Sequence, residues 1–323
     1  MTGEERAALT RQIKELALAN GAALVGIAPI ERFEPAPPFY DKPPESEHPK
    51  FFVPDAKSVI SFAMPILNAV LDATARAADA DMEFIPPDVK WEWLDLVYNR
   101  VGHELHDYRL EYIGQALGQK LQIEGFEAMI FPTTGIHPRI PGQTSFEMWG
   151  SKGDYSKFGW THGPFSHRHA ATRAGLGEFG FNNIVLTREF GDRVRFNSVV
   201  TNAELDPDPL IDKPICLRGK CGYLCMKACF MGAITRRDDP DVRDYRSVDF
   251  PIDESQIFID TPSKTDPVKC HRRRIEYPRS PVRGDCLRVC PVGAGRHDLH
   301  DRLKAMVEKE EGKPLRKYEF DYE

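Results

Sequence analysis

The sequence predicts an α+β chain in two parts, one of mixed helices and strands over 1–206 and a cysteine-bearing one over 207–323. Two observations lead to this division. Apolar runs of strand length alternate with amphipathic helical stretches through the first part. All seven cysteines fall in the second, with none in the 215 residues before Cys216.

The elements follow in order. Residues 5–19 place charged side chains and Ala, Leu and Ile at helical spacing and stop at Asn20-Gly21, a helix-ending pair. Ala22 to Ala28 reads as a buried strand, residues 33–56 as a long loop rich in Pro, Glu and Lys, and Ser58 to Met64 as a second strand. After a proline-containing connection over 82–90, a long helix is predicted from Trp91 to Glu124. Its apolar stripe would run through Leu94, Val97, Val101, Leu105, Ile113, Leu117 and Leu121. Gly125 ends it, and Phe126 to Phe131 reads as a third strand. Thr133 to Pro164 shows no periodicity, and a connection that long implies a functional segment. Residues 165–176 look helical. Ile184–Thr187 and Val194–Thr201 read as strands paired around the turn Phe190-Gly191-Asp192, and a charged helix is expected from Asp298 to Glu311.

Composition narrows the function. Hydrophobic residues at 41% and charged residues at 28% are ordinary for a soluble globular chain. A net charge of −6 gives no overall basic surface for nucleic acid, although Arg272-Arg273-Arg274, Arg279 and Arg283 form local exceptions. No run of 18 apolar residues occurs, and the first residues carry no basic stretch leading into an apolar one, so a cytoplasmic location without membrane contact is expected. An odd cysteine count argues against a disulfide framework.

The cysteines are spaced Cys216-x4-Cys221-x3-Cys225-x3-Cys229, then Cys270, then Cys286-x3-Cys290-Pro291. Thiolates bunched at such intervals beside small-residue turns suit iron–sulfur clusters. In a two-cluster module each run lends its last cysteine to the other cluster. That rule assigns Cys216, Cys221, Cys225 and Cys290 to a first, [4Fe–4S] cluster. It leaves Cys229, Cys270 and Cys286 for a second, whose missing ligand would fall near Arg283. The second centre would then be [3Fe–4S], or [4Fe–4S] with water, His271, an aspartate or substrate as the last ligand, or absent. Two other readings stand beside this one: small core residues on one helical face at 221, 225 and 229, and a four-thiolate zinc site.

His169-Ala170-Ala171-Thr172-Arg173-Ala174-Gly175-Leu176-Gly177-Glu178-Phe179-Gly180-Phe181-Asn182-Asn183 resembles the corresponding segment of the cobalamin-dependent reductases, the reductive dehalogenases and epoxyqueuosine reductases. The likeness extends to Leu24–Ala28, Pro54–Ile60, Gly191–Phe196 and the two-part cysteine module. Taken alone, three glycines within six residues permit either close approach to a flat ligand or a tight helix-to-strand turn. The resemblance implies a nitroreductase-like, corrinoid-binding α+β domain followed by a ferredoxin-like iron–sulfur module. Cobalamin would then lie against Gly175, Leu176, Gly177, Glu178, Gly180 and Asn182, and receive electrons from the clusters.

The chemistry so implied is reduction of a small organic substrate, nearest to reductive dehalogenation, with a side chain supplying a proton. Tyr155 is the favoured donor, with Lys157 or Arg168 lowering its pKa; Trp149, Phe158, Trp160 and Phe165 could wall an apolar pocket. His162, His167 and His169 are further polar residues of this stretch. The expected partners are the substrate, a reduced ferredoxin or flavodoxin-type donor and a second copy of the chain, with neither membrane nor nucleic acid among them. The sequence departs from the epoxyqueuosine pattern at Thr161-His162-Gly163-Pro164, where an Asp-Thr-Ala-Pro-like segment is expected. A tRNA epoxyqueuosine reductase and a corrinoid-free electron-transfer protein are the alternative readings.

Overall fold

The computed structural model describes residues 1–34, 48–71, 97–98, 100–133, 165–229, 232–235, 255–260, 264–265 and 284–293. The proline-rich connection at 82–90, the aperiodic segment after Thr133, Cys270 and the helix expected from Asp298 to Glu311 lie outside them.

The centre is a four-stranded antiparallel sheet in the order β1-β2-β6-β3, from β1 (Leu24–Pro29), β2 (Ser58–Pro65), β3 (Ala128–Ile130) and β6 (Val194–Thr201). One row crosses all four strands as Ile27, Ile60, Val199 and Ile130. The middle strands are buried at nearly every position because both of their faces are covered, and β6 takes Asn197, Ser198 and Thr201 into the interior with it. On one face α1 (Gly3–Ala19) and α3 (Leu105–Ile123) bury Leu9, Ile13, Leu110, Ile113 and Leu117 against Ile60 and Phe62. On the other, α4 (His167–Arg173) packs Ala170 and Ala174 against Val59 and Val200. Helix α1 starts with a reciprocal cap: Thr2 Oγ1 accepts from the Glu5 amide at 3.2 Å, and Glu5 Oε2 accepts from the Thr2 amide at 2.7 Å.

Three expectations are corrected. The segment 33–56 is not all loop, since α2 (Pro49–Phe52) follows His48 and Phe33 closes a 3₁₀ turn in the core. The apolar stripe of the long helix does not run straight through. A π-turn at Arg100–Glu104 inserts an extra residue, so Val97 and Leu105 face outward at 39% and 50% exposure, while His106 continues the buried face toward Leu110. The His106 ring is held between the carbonyls of Val101 and Pro65, each 2.7 Å away. Finally, Val185–Leu186 (β5) does not pair with β6. It pairs with β4 (Glu178–Phe179), and only the bridge Thr187–Gly191 survives of the expected hairpin. Beyond that bridge β6 runs beside β2 along its whole length and beside β3 at Val199–Thr201, while β5 turns aside to β4.

Candidate metal centre

Four thiols from two distant stretches meet in one buried site. After Ile215 the chain passes Cys216, enters a 3₁₀ turn at Arg218–Cys221, and reaches the short helix α5 (Leu224–Lys227) carrying Cys225. Arg218 and Tyr223 adopt positive φ of 53° and 55°, a conformation that costs a non-glycine residue energy and is kept where the surroundings fix it. Cys221 and Cys225 pack with Leu224, Ala228 and Val289, while Cys216 and Cys290 pack with Leu186, Ile215 and Val292. Cys290, just after α6 (Asp285–Arg288), thus joins the first cysteine group, as the crossing pattern requires. All four are free thiols.

Their electrostatics suit ligands of a cationic group. Burial, then the neighbouring carboxylate of Glu178 and the Cys221 thiol, push Cys216 up to about 11 against the amide hydrogen bonds that lower it. Burial also raises Cys225 and Cys290, reinforced by Asp192 and the other thiols. Such a set stays protonated in the empty protein and becomes thiolate when a positive group neutralises it, releasing protons as it binds. Among the described residues no three His, Cys, Asp or Glu side chains are grouped around a single metal position. One tetrahedral zinc ion needs its thiolates within about 4 Å of each other, by the ~2.3 Å Zn–S bond. Thiols brought together from two cysteine runs are the donor type that iron–sulfur clusters use. Of the second set, Cys229 accepts from the Ala233 amide at 3.2 Å and Cys286 lies on α6, while Cys270 is outside the described residues.

Glu178 ties this site to the glycine motif. Its carboxylate is completely buried and accepts from the amides of Ile215, Cys216 (2.6 Å) and Phe258 (3.0 Å). The guanidinium of Arg218, also buried, lies 3.4 Å away; it donates to the Gln256 carbonyl and stacks 4.5 Å from the Phe258 ring centroid. Asn182 donates to the buried Asp192 at 2.6 Å, and Arg193 reaches the Arg288 carbonyl at 3.0 Å. The three glycines serve the protein's own chain. A Cβ on Gly175 (φ +75°) would overlap the Pro209 carbonyl, one on Gly177 the Leu186 carbonyl, and one on Gly180 the Leu186 side chain. Half-buried Leu176 packs beside Ala171 and Phe179. At these three positions the backbone lies hard against the protein's own chain, as in a tight turn.

The expected catalytic residues divide. Tyr155 and Lys157 lie outside the described residues, as do Trp149, Phe158, Trp160 and His162. Arg168 is half-buried, donates to the Asn183 carbonyl at 2.6 Å and sits 5.8 Å from the Phe179 ring centroid. His169 contacts Ser166 Oγ through Nδ1 at 2.6 Å, with Asp260 3.6 Å from Nε2. Phe165 stacks on Phe131 inside the core. Sequence reasoning gave no role to Asp192, Arg193 or Arg218. The signal available was a pair of opposite charges, Asp192-Arg193, set between Gly191 and a buried strand.

His167 is buried, with Nε2 2.9 Å from the Pro132 carbonyl and Nδ1 3.1 Å from Ser198 Oγ. The carbonyl can only accept, so Nε2 carries the proton and Nδ1 accepts from the serine hydroxyl. Burial lowers its pKa to about 4 from 6.5. The folded state therefore binds fewer protons than the unfolded chain between those values. Stability should be full above about pH 6.5 and fall as the pH drops toward 4, by about 3 kcal/mol at most for this group. His167→Gln should flatten that slope in urea titrations at pH 4.5 and 7.5; an unchanged slope would remove His167 from the acid response.

No protein-family model matches the chain. A stretch of 74 residues, 22% of the chain, is 39% identical to the tetrachloroethene reductive dehalogenases of Dehalobacter restrictus and Desulfitobacterium hafniense, but spans only 13% of their length. Over 139 residues, 43% of the chain, it is 29% identical to the epoxyqueuosine reductase of Listeria monocytogenes, spanning 32% of that protein. A catabolic reductive dehalogenase of known structure superposes with a TM-score of 0.52 over 95% of this chain and 36% of the other, at 15% identity. A second such structure, described as suggesting a mechanism for B12-dependent dehalogenation, gives 0.52 at 14% identity with the same coverage. The fold is an α+β fold shared with the reductive dehalogenases. With the sequence matches, the chain is distantly similar, in part of its sequence and in its fold, to the reductive dehalogenases, and in part of its sequence to an epoxyqueuosine reductase.

Proposed function

We propose that this chain is an iron–sulfur-dependent reductase of a small organic molecule, reductive-dehalogenase-like, with a corrinoid as the second cofactor. The observation that carries the reading is the gathering of Cys216, Cys221, Cys225 and Cys290 into adjoining apolar clusters drawn from two distant stretches of chain. An iron–sulfur group held there would supply single electrons at low potential. This chain's part is to bury the group, to fix the Cys216 loop through Glu178, and to keep water from the thiols with Leu186, Val289 and Val292. Cys229, Cys270 and Cys286 would hold the second cluster, completing a ferredoxin-like part at 207–323 beside a nitroreductase-like part at 1–206. Tyr155, with Lys157 or Arg168, is the proposed proton donor. The corrinoid rests on the B12 dependence of a structural relative, and the glycine segment adds no support to it. An acidic carrier of ferredoxin or flavodoxin type suits the exposed Lys213, Lys220 and Lys227 around the thiols. Among the described residues no helix is long and apolar enough to cross a membrane.

The test is reconstitution under anaerobic conditions with iron, sulfide and hydroxocobalamin, followed by gel filtration and a visible spectrum. Co-elution of a corrinoid band with iron–sulfur absorption is the expected result. Iron–sulfur absorption alone would reduce the reading to an electron-transfer protein, and the absence of both would sink it. The longer match to an epoxyqueuosine reductase favours a second reading, tRNA epoxyqueuosine reduction, which predicts rescue of a queuosine-deficient strain.

A further inference from the structure

Glu178 and Asp192 are carboxylates with no exposure to water, Glu178 beside Cys216 and Asp192 near Cys225 and Cys290. Two carboxylates are an unusual lining for a site that must accept electrons, because each added electron is negative too. Glu178 also takes the hydrogen bonds that would otherwise favour the reduced state. Amide N–H groups near a thiolate ligand commonly point at sulfur, and such bonds make a cluster easier to reduce. Here the amides of Ile215 and of Cys216 itself are both committed to Glu178, the latter at 2.6 Å. Arg218, the cation beside Glu178 among the described residues, is shared with the Gln256 carbonyl. Asp192 is fixed by the Asn182 amide at 2.6 Å, on the turn that leads into β6. Both carboxylates come from the part of the chain before the cysteines, so the sheet unit holds them still.

We infer that Glu178 and Asp192 are positioning residues that keep the first cluster strongly reducing, Glu178 by withholding two backbone amides from sulfur and both by placing negative charge beside it. The inference rests on the proposed iron–sulfur site and assigns its electron-transfer driving force to residues that are not ligands. Reducing the cluster is a one-electron step, with dithionite as donor and no bond made or broken.

The experiment is a dithionite potentiometric titration of the reconstituted full chain, followed by electron paramagnetic resonance, on wild type, E178Q, D192N and R218Q, with iron measured in each. Glutamine and asparagine keep the size of the side chain and remove its charge. E178Q and D192N should hold wild-type iron and shift the midpoint positive. The expected size is about tenfold in the reduced-to-oxidised ratio at a fixed potential, or ~59 mV for one electron. R218Q should shift it negative. Iron-replete E178Q and D192N with the wild-type midpoint would overturn the inference, because a merely structural role does not move a potential. If E178Q fails to retain iron, D192N and R218Q decide alone: opposite shifts uphold the inference, and unchanged midpoints overturn it. Absence of any cluster in the wild type would instead overturn the proposed function.

Discussion

Cys290→Ala is expected to remove the first cluster, lowering iron by roughly four atoms per chain, the content of one [4Fe–4S] centre. Cys290 is buried with Cys216 between Leu186, Ile215 and Val292, more than sixty residues along the chain from Cys225. No other described cysteine can replace it. Cys229 and Cys286 are half-buried, and neither belongs to the apolar groups that hold the four thiols. Cys229→Ala should leave the first cluster's signal in place, whereas Cys221→Ala should abolish it as Cys290→Ala does. Iron and acid-labile sulfide on anaerobically reconstituted samples make the comparison. Wild-type iron in Cys290→Ala would mean that the crossing assignment is wrong.

The second large effect concerns stability rather than metal. Gly177→Ala should destabilise the fold by at least about 3 kcal/mol, the range of severe single substitutions. The added Cβ would overlap the Leu186 carbonyl oxygen and sit 2.9 Å from its carbon. Leu186 cannot retreat easily, because it pairs with Glu178 across the β4–β5 ladder and its side chain lies in the buried group with Cys290. Backbone crowds backbone here, and no rotamer change relieves it. Gly3→Ala is the control, since nothing lies within 4 Å of its Cβ position. Urea unfolding of the two variants should separate them clearly. A Gly177→Ala midpoint equal to that of wild type would mean the turn is looser than its geometry.

β1 and β2 were legible because buried segments on a two-faced sheet are largely apolar runs, as in Ser58 to Met64. The first helix was legible because its caps and its period agree. The long helix was misread in phase: a π-turn leaves composition unchanged and moves the buried face by one residue, so Leu105 counted as core when His106 is. The hairpin at 184–201 was misread because local turn chemistry at Phe190-Gly191-Asp192 predicts pairing, while β5 takes β4 as its partner and β6 takes β2, a strand far away in the sequence. At the thiol site the nearness of Cys290 to Cys216 was legible through the crossing rule of two-cluster modules. Glu178 was not, because a glutamate in a glycine-rich segment looks the same whether it faces a ligand or a neighbouring loop.

The backbone crossing behind Cys290 bears on the order of assembly. At Gly191 (φ +57°) and Gly293 (φ +114°) two main chains approach so closely that a Cβ on either would strike the other, at Val292 and Phe190 respectively. Arg193 adds a bond to the Arg288 carbonyl beside this crossing. The last thiol is thus delivered by docking of a late segment onto a turn that must already be shaped, across about a hundred residues of intervening chain. A growing chain would hold three thiols in place well before the fourth arrives. Metal loading should then be a slow, late event coupled to closure of the chain's far end, and a nick or mutation near Gly293 should arrest the protein as a folded sheet that cannot take up iron.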